Sequence, residues 1–167
     1  MFAGLDFAVA PGEALVLSGP NGSGKSSLLR LMAGIASPAA GEILWHGNPV
    51  RDDPERFFAN MHYVGHRDAV KPALTVRENL SFHAALRGGS ADMADINGAL
   101  GQVGLAALAG LPARMLSAGQ TRRLTLARIL ASPASLWLLD EPTIALDYRS
   151  VDRIRAAIAA HRSGGGM

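Results

Sequence analysis

The chain has 167 residues, of which 49% are hydrophobic and 18% are charged, a balance that excludes intrinsic disorder and suits one domain with one buried core. It contains no cysteine, which excludes disulfides, thiolate metal sites and cysteine nucleophiles. The formal net charge of +2 is too small for the positive surface of a nucleic-acid-binding domain.

The first part of the chain predicts alternating strands and helices. Turn residues such as Pro11-Gly12 separate short apolar runs, and apolar residues at helical spacing follow a glycine-rich stretch. The elements predicted here are strands at 5–9, 14–18, 42–45 and 61–64 and a helix through 28–35.

Helical signals dominate from Thr75 onwards. Thr75 and Glu78 form a capping-box pattern, and Val76, Leu80 and Ala84 lie on one helical face. Gly88-Gly89 is expected to end this helix. The remaining predicted elements are helices at 91–103, 120–130 and 147–162 and a buried strand at 135–139.

These elements predict an α/β fold with a mostly parallel sheet flanked by helices. We expect one domain over 1–167, with its core in 1–74 and 116–167, a helical part at 75–115 and a small antiparallel β part. The longest uncharged stretch, 96–113, contains polar residues, proline and four glycines, so no transmembrane helix is predicted. The N-terminus lacks a basic segment and is not expected to be a signal peptide.

A phosphate-binding loop is the strongest motif in the sequence. It lies between a predicted strand and a predicted helix, as this motif requires. Its glycines let backbone N–H groups approach phosphate oxygens, Lys25 would reach the β- and γ-phosphates, and the Ser26 hydroxyl would ligate Mg²⁺. The alternative is a glycine-rich turn before an ordinary helix. The loop and first helical residues are Gly19, Pro20, Asn21, Gly22, Ser23, Gly24, Lys25, Ser26 and Ser27.

A second motif is the apolar run 135–139, which ends in Asp140 and Glu141. Asp140 would hold the Mg²⁺ ion, directly or through water, and Glu141 would polarise an attacking water molecule. Acidic residues often end strands without such a role, so this pattern gains weight from the loop upstream of it.

A third motif is Leu116-Ser117-Ala118-Gly119-Gln120, at the start of a predicted helix. Ser117 and Gly119 would form a second anion site with the free N–H groups of that helix. The alternative is an ordinary N-cap by Ser117.

The order of these motifs, followed by Asp140-Glu-Pro-Thr and Ala145-Leu-Asp147, resembles the nucleotide-binding subunits of ABC transporters over essentially the whole chain. The resemblance implies an ATPase that uses ATP and Mg²⁺ and works as a head-to-tail homodimer. Ser117, Gly119 and Gln120 of one protomer would close over the ATP on the other, and Asp147 would cross the interface. A two-fold arrangement gives two such composite sites.

Two departures indicate a subfamily. His66 stands where most such ATPases have a glutamine, and Ala118 replaces the usual first glycine. Gly65-His66 with the following Val70-Lys71-Pro72, together with Leu116-Ser-Ala-Gly-Gln120, resembles the ATP-binding subunits of bacterial haem exporters of cytochrome c maturation. That resemblance implies a peripheral protein on the cytoplasmic face of the inner membrane, docked on the membrane subunits CcmB and CcmC. His66 would be a catalytic element that senses the γ-phosphate; its alternative is a solvated loop histidine. No residue is expected to ligate haem.

Other conspicuous residues are given structural interpretations. His62 and His66 would lie about 13 Å apart in an extended strand, too far to share a metal ion. Arg122 and Arg123 are expected on a solvated helix face rather than at a nucleic acid. Trp45 and Trp137 are expected in the core.

Relative to the family pattern, the chain is expected to lack the first strand and the strand that ends in the switch histidine. His161 lies within a predicted helix and is not expected to take that role. We therefore expect the chain by itself to have low stability and to hydrolyse ATP weakly. The alternatives are the ATPase of another ABC exporter, an ABC-type ATPase acting on DNA or the ribosome, and a nucleotide-binding fragment with little hydrolysis.

Overall fold

In the computed structural model the described residues are 3–88 and 92–167. None of the helices found there is long and apolar enough to cross a membrane. The division into a core and a helical part at 75–115 stays a prediction. The chain divides into two compact units, the first made of Met1–Gly65, Ala134–Asp140 and His161–Met167 and the second of His66–Pro133 and Glu141–Ala160.

The first unit contains a parallel strand pair and a short hairpin. The parallel pair runs in register from Met61 opposite Leu136 to Val64 opposite Leu139. In the hairpin, residues 44–45 pair antiparallel with residues 48–49 across the His46-Gly47 turn. The elements are α1 (Lys25–Met32), β1 (Leu44–Trp45), β2 (Asn48–Pro49), α2 (Pro54–Ala59), β3 (Met61–Val64) and β4 (Leu136–Leu139).

An apolar core holds α1, α2 and the parallel strands together. Asp53 begins α2 by accepting a hydrogen bond from the Arg56 N–H at 3.1 Å, and Pro54 occupies the first helical position. α1 packs against β4 through this core, so the helix that follows the glycine loop is fixed to the strand that precedes Asp140. The core residues are Ala33, Phe57, Met61 and Leu138, with half-buried Leu29, Met32, Trp45, Val50, Tyr63 and Leu136 around them.

The two strands predicted at 5–9 and 14–18 are wrong, because neither segment forms a strand in the structure. A strand requires a hydrogen-bonded neighbour, which an apolar pattern alone does not supply. Val16 is instead 82% exposed. The N–H of Gly12 donates to the carbonyl of Gly166 at 3.0 Å, so a turn contact fixes this region. The strand predicted at 42–45 is shorter than expected and spans Leu44–Trp45.

The second unit is helical. The helix predicted to begin at Thr75 and those predicted at 120–130 and 147–162 are confirmed, the last two with shifts of a residue or two. Its helices are α3 (Val76–Leu86), α4 (Met93–Gln102), α5 (Ala118–Ala131) and residues 148–160 of α6 (Tyr148–Ser163). Their buried core comprises Val76, Leu80, Ile96, Ala99, Leu100, Val103, Leu105, Ala109, Ala113, Leu124, Ala127 and Ala131.

The capping box predicted for α3 is confirmed. The Thr75 hydroxyl accepts from the Glu78 N–H at 3.2 Å, and the Glu78 carboxylate accepts from the Thr75 N–H at 2.8 Å. These hydrogen bonds lower the pKa of Glu78. Gly88 follows the helix with a φ of 74°, as a helix stop requires. The predicted roles of Gly89 and Ala91 fall outside the described residues.

The solvated face predicted for Arg122 and Arg123 is wrong. Arg122 is only 2% exposed, and Arg123 is half-buried with its guanidinium donating to the Val103 carbonyl at 3.2 Å. The tryptophans are less buried than expected. Trp45 is half-buried, and Trp137 is half-buried and stacked on His161 with ring centroids 3.8 Å apart.

Candidate functional site

The glycine loop delivers its lysine to the start of α1. Gly22 and Gly24 have φ values of 83° and 97°, a left-handed conformation in which glycine avoids the Cβ clash of other residues. α1 begins at Lys25 without a side-chain cap on its N-terminal N–H groups. Such groups carry a partial positive charge and form a ready anion site.

The Lys25 ammonium lies within the loop. Its Nζ donates to the Gly19 carbonyl at 2.7 Å and to the Pro20 carbonyl at 3.0 Å. These contacts hold a full positive charge beside the N-terminus of α1, where negative charge is already favoured. Residues 19–23 are exposed, Gly24 to Ser26 are half-buried and Ser27 is exposed. The loop is therefore accessible from solvent.

Asp140 lies in the same unit as the loop, directly after β4. It is 3% exposed, and its N–H continues the strand pairing by donating to the Val64 carbonyl at 2.8 Å. The Ser26 hydroxyl and the Asp140 carboxylate supply oxygen ligands, which Mg²⁺ prefers. The ion usually takes one or two carboxylates and completes its shell with phosphate and water oxygens. Both side chains thus carry the type of donor atom that Mg²⁺ prefers, and their role as its ligands stays a prediction.

Glu141 and His66 come together in the second unit. The Glu141 backbone is left-handed with a φ of 48°, and its Oε2 lies 3.9 Å from Nδ1 of His66. Both side chains are open to solvent, 41% for Glu141 and 67% for His66. The exposure of His66 agrees with the alternative of a solvated loop histidine. The Glu141 carboxylate is, in addition, a specific neighbour of its ring.

Ser117 caps α5 in a second capping box. Its hydroxyl accepts from the Gln120 N–H at 3.3 Å, and the Gln120 side chain accepts from the Ser117 N–H at 2.8 Å. Ser117 is thus the N-cap of α5, and its role at an anion site stays a prediction. A Cβ on Gly119 would lie 3.0 Å from the carbonyl oxygen of Ala145, so a larger residue would force a backbone shift there.

Asp147 caps the start of α6 in the same unit. Its Oδ1 accepts from the Ser150 N–H at 2.8 Å, and this hydrogen bonding lowers the pKa of Asp147. The carboxylate is therefore ionised at neutral pH. The close approach of Gly119 to Ala145 brings the start of α5 near the segment that leads to this residue.

Arg122 is the residue near this site that sequence reasoning missed. Its guanidinium donates to Asp68 Oδ1 at 3.2 Å and to the backbone carbonyl of Glu141 at 2.9 Å. The sequence holds a signal for the burial of Arg122. Thr125, Leu126 and Ile129 follow it at helical spacing, and all of them are buried in α5.

Comparison with known proteins connects this arrangement to one family. Residues 2–144 match the family model described as ABC transporter. The cytochrome c biogenesis ATP-binding export protein CcmA of Paramagnetospirillum magneticum is 54% identical over 169 aligned positions, which cover 100% of this chain and 78% of that protein. The protein of the same name from Rhodospirillum rubrum is 56% identical and is covered over 71% of its length.

Solved structures agree with the sequence comparison. A Pyrococcus furiosus protein described as an ABC transporter ATP-binding protein superposes with a TM-score of 0.78 at 28% identity, covering 89% of this chain and 72% of that one. An ATP-binding subunit of an ABC transporter superposes with a TM-score of 0.84 over 96% of this chain and 68% of that one. At 24% identity, the latter similarity shows the fold alone. The predicted α/β fold is confirmed.

Proposed function

Because the chain belongs to the ABC transporter family of ATP-binding proteins, among the cytochrome c biogenesis export proteins, we propose that it hydrolyses ATP to power a haem exporter. The observation that carries the proposal is the Lys25 ammonium, held by the Gly19 and Pro20 carbonyls at the uncapped N-terminus of α1. A fixed cation beside free helical N–H groups is suited to a triphosphate.

Binding of ATP would use residues of the first unit. The loop amides would contact the phosphate chain, with Lys25 at the β- and γ-phosphates. Ser26 and Asp140 would hold Mg²⁺, which when bound supplies charge stabilisation for the transferring phosphoryl group. Burial of Asp140 at 3% supports this role, because a carboxylate shielded from water interacts more strongly with a cation.

Hydrolysis would depend on Glu141 and His66. Glu141 would orient and polarise the attacking water, since phosphoryl transfer relies on positioning and electrostatics. His66, whose Nδ1 lies 3.9 Å from the Glu141 carboxylate, would sense the γ-phosphate and pass its state to the helices that follow.

The working form would be a head-to-tail homodimer. Ser117 and Gly119 of one protomer, with the N-terminus of α5, would close over the ATP bound by the other, and Gln120 would keep the cap in place. Asp147 would lie at the interface. Support for this arrangement comes from the N-terminus of α5, because the first-turn N–H groups of a helix carry a partial positive charge that favours a phosphate.

The dimer would dock on the membrane subunits CcmB and CcmC at the cytoplasmic face of the bacterial inner membrane. Hydrolysis would drive release of the haem-loaded chaperone on the other side. The identity of 54–56% to two CcmA proteins supports this cargo over that of another exporter.

The ATPase activity is tested by comparing Glu141→Gln with Glu55→Gln, a control at an exposed carboxylate in the first turn of α2. Loss of the base should lower kcat by about 100-fold or more, while the Kd for ATP–Mg changes by less than about threefold. Glu55→Gln should match the parent. Equal hydrolysis by both variants would refute the role of Glu141.

The exporter assignment is tested in a bacterium that lacks its own subunit of this kind. The parent protein should co-purify with CcmB and CcmC and restore covalent haem staining of c-type cytochromes, and Glu141→Gln should co-purify without restoring them. An ATPase of a different exporter would hydrolyse ATP and fail both tests. A fragment without hydrolysis would already fail the kinetic assay.

A further inference from the structure

We propose that Arg122 is a positioning residue that fixes the backbone of Glu141 and ties it to the 66–68 segment. The proposal rests on the function proposed above, because it concerns how the hydrolytic carboxylate is held. Every residue in it belongs to the second unit, between His66 and Glu141.

Arg122 is a charged side chain placed where charge is costly. Only 3% of its side chain is exposed, compared with 27% for its ion-pair partner Asp68. Burying an unpaired guanidinium is strongly unfavourable, so the partners of this group are specific features of the fold. One of them is the Asp68 carboxylate at 3.2 Å, and another is the Glu141 carbonyl at 2.9 Å.

The Glu141 carbonyl needs a strong partner. With a φ of 48°, Glu141 occupies the left-handed region, which side-chain-bearing residues adopt only when the surroundings impose it. A charge-assisted hydrogen bond from the guanidinium favours this conformation over an extended one. Since the backbone conformation sets the direction of the Cα–Cβ bond, the same hydrogen bond sets where the Glu141 carboxylate points.

Two contacts connect Glu141 to one short segment. His66 lies 3.9 Å from the Glu141 carboxylate, and Asp68, two residues later, reaches the Glu141 carbonyl through Arg122. A shift of the 66–68 segment therefore acts on both the side chain and the backbone of Glu141. This gives the residues that follow β3 direct control over the carboxylate that activates water.

A purely structural role is the competing explanation, because a buried ion pair also affects stability. Arg123 provides the matched control. It is the next residue on α5, carries the same charge and donates to backbone carbonyls at Val103 and Gly104. Replacing Arg123 by Gln removes a half-buried hydrogen-bond donor to two backbone carbonyls without touching Glu141.

The experiment measures steady-state hydrolysis of ATP–Mg and the Tm for R122Q, R122K, R123Q and the parent. We expect R122Q to lower kcat by at least about tenfold with KM for ATP within about threefold of the parent. R122K should recover part of kcat, since it restores the charge but not the two-armed donor. R123Q should lower the Tm, because it too loses hydrogen bonds of α5, and keep kcat within about twofold.

A second measurement tests whether Asp68 and Arg122 act together as a pair. If Asp68 acts through Arg122, the double variant D68N/R122Q should hydrolyse ATP no more slowly than R122Q alone. Should R122Q fail to fold, R122K and D68N must each lower kcat by at least about threefold, or the inference is wrong.

The outcomes distinguish this inference from its premise. An active parent whose R122Q variant is folded and keeps kcat within about twofold would overturn the positioning role alone. A folded parent that binds ATP–Mg and hydrolyses none would overturn the proposed ATPase function and the inference with it.

Discussion

Ser117→Ala removes one of the two capping boxes seen in residues 3–88 and 92–167, and Thr75→Ala removes the other. Both residues are N-caps whose hydroxyls accept from the N–H three residues on, at 3.3 Å in the Ser117 box and 3.2 Å in the Thr75 box. In both boxes the third residue returns a side-chain acceptor to the N-cap N–H at 2.8 Å. The Thr75 hydroxyl also donates to the Glu78 carboxylate at 2.8 Å, so Thr75→Ala should cost at least as much structurally as Ser117→Ala.

For Ser117→Ala that cost is about 1 kcal/mol, the usual effect of replacing a serine or threonine cap by alanine. For a chain of this size it lowers the Tm by about 2–4 °C. If the Ser117 hydroxyl also donates to a phosphate held by the partner protomer, Ser117→Ala loses a further charge-assisted hydrogen bond of about 1.5–3 kcal/mol. This corresponds to a fall in kcat/KM of about 10- to 150-fold.

The assay is hydrolysis of ATP–Mg by parent, Ser117→Ala and Thr75→Ala, with each Tm measured in parallel. Ser117→Ala should lower the Tm by no more than Thr75→Ala does, and only Ser117→Ala should lose activity. Equal kcat/KM for the two variants would show that Ser117 is a helix cap and nothing more, and would refute the composite site.

Two further predictions concern the helical unit. Leu100→Ala should lower the free energy of unfolding by about 2–5 kcal/mol in urea titrations, because Leu100 is fully buried. Leu86 is 67% exposed, so Leu86→Ala should change the free energy of unfolding by less than about 0.5 kcal/mol. Similar losses for the two variants would contradict the assigned core. Burial, with repulsion from Arg128, lowers the pKa of His83 below its ordinary 6.5, so the unfolded chain takes up the proton first and stability falls as pH drops below that value. His83→Gln should lose less stability than the parent between about pH 7 and 5.5, and parallel curves would contradict the assignment.

Features set by neighbouring residues could be predicted from the sequence. The Thr75 box and the Ser117 box each depend on residues three positions apart, so local spacing is sufficient. The strand at 61–64 has an apolar run whose length and flanking residues favour a strand. The glycine loop can be located from the sequence because its pattern includes the lysine and serine at the start of α1.

Features set by distant residues could not be predicted. Strands at 5–9 and 14–18 would have required partners, which the local pattern does not name. Burial of Arg122 depends on Asp68, 54 positions away in the sequence. The charge of Arg122 predicts a solvated helix face. Pairing with the Asp68 carboxylate is what makes its buried position energetically tolerable.

The most direct test compares the chain's two lysines. Lys25 is held by loop carbonyls, whereas Lys71 lies 4.5 Å from the centre of the Phe82 ring in the other unit. In equilibrium titrations with ATP–Mg, Lys25→Ala should raise the Kd by at least about tenfold and Lys71→Ala by less than about twofold. A Lys25→Ala protein that binds ATP–Mg as tightly as the parent would contradict the account.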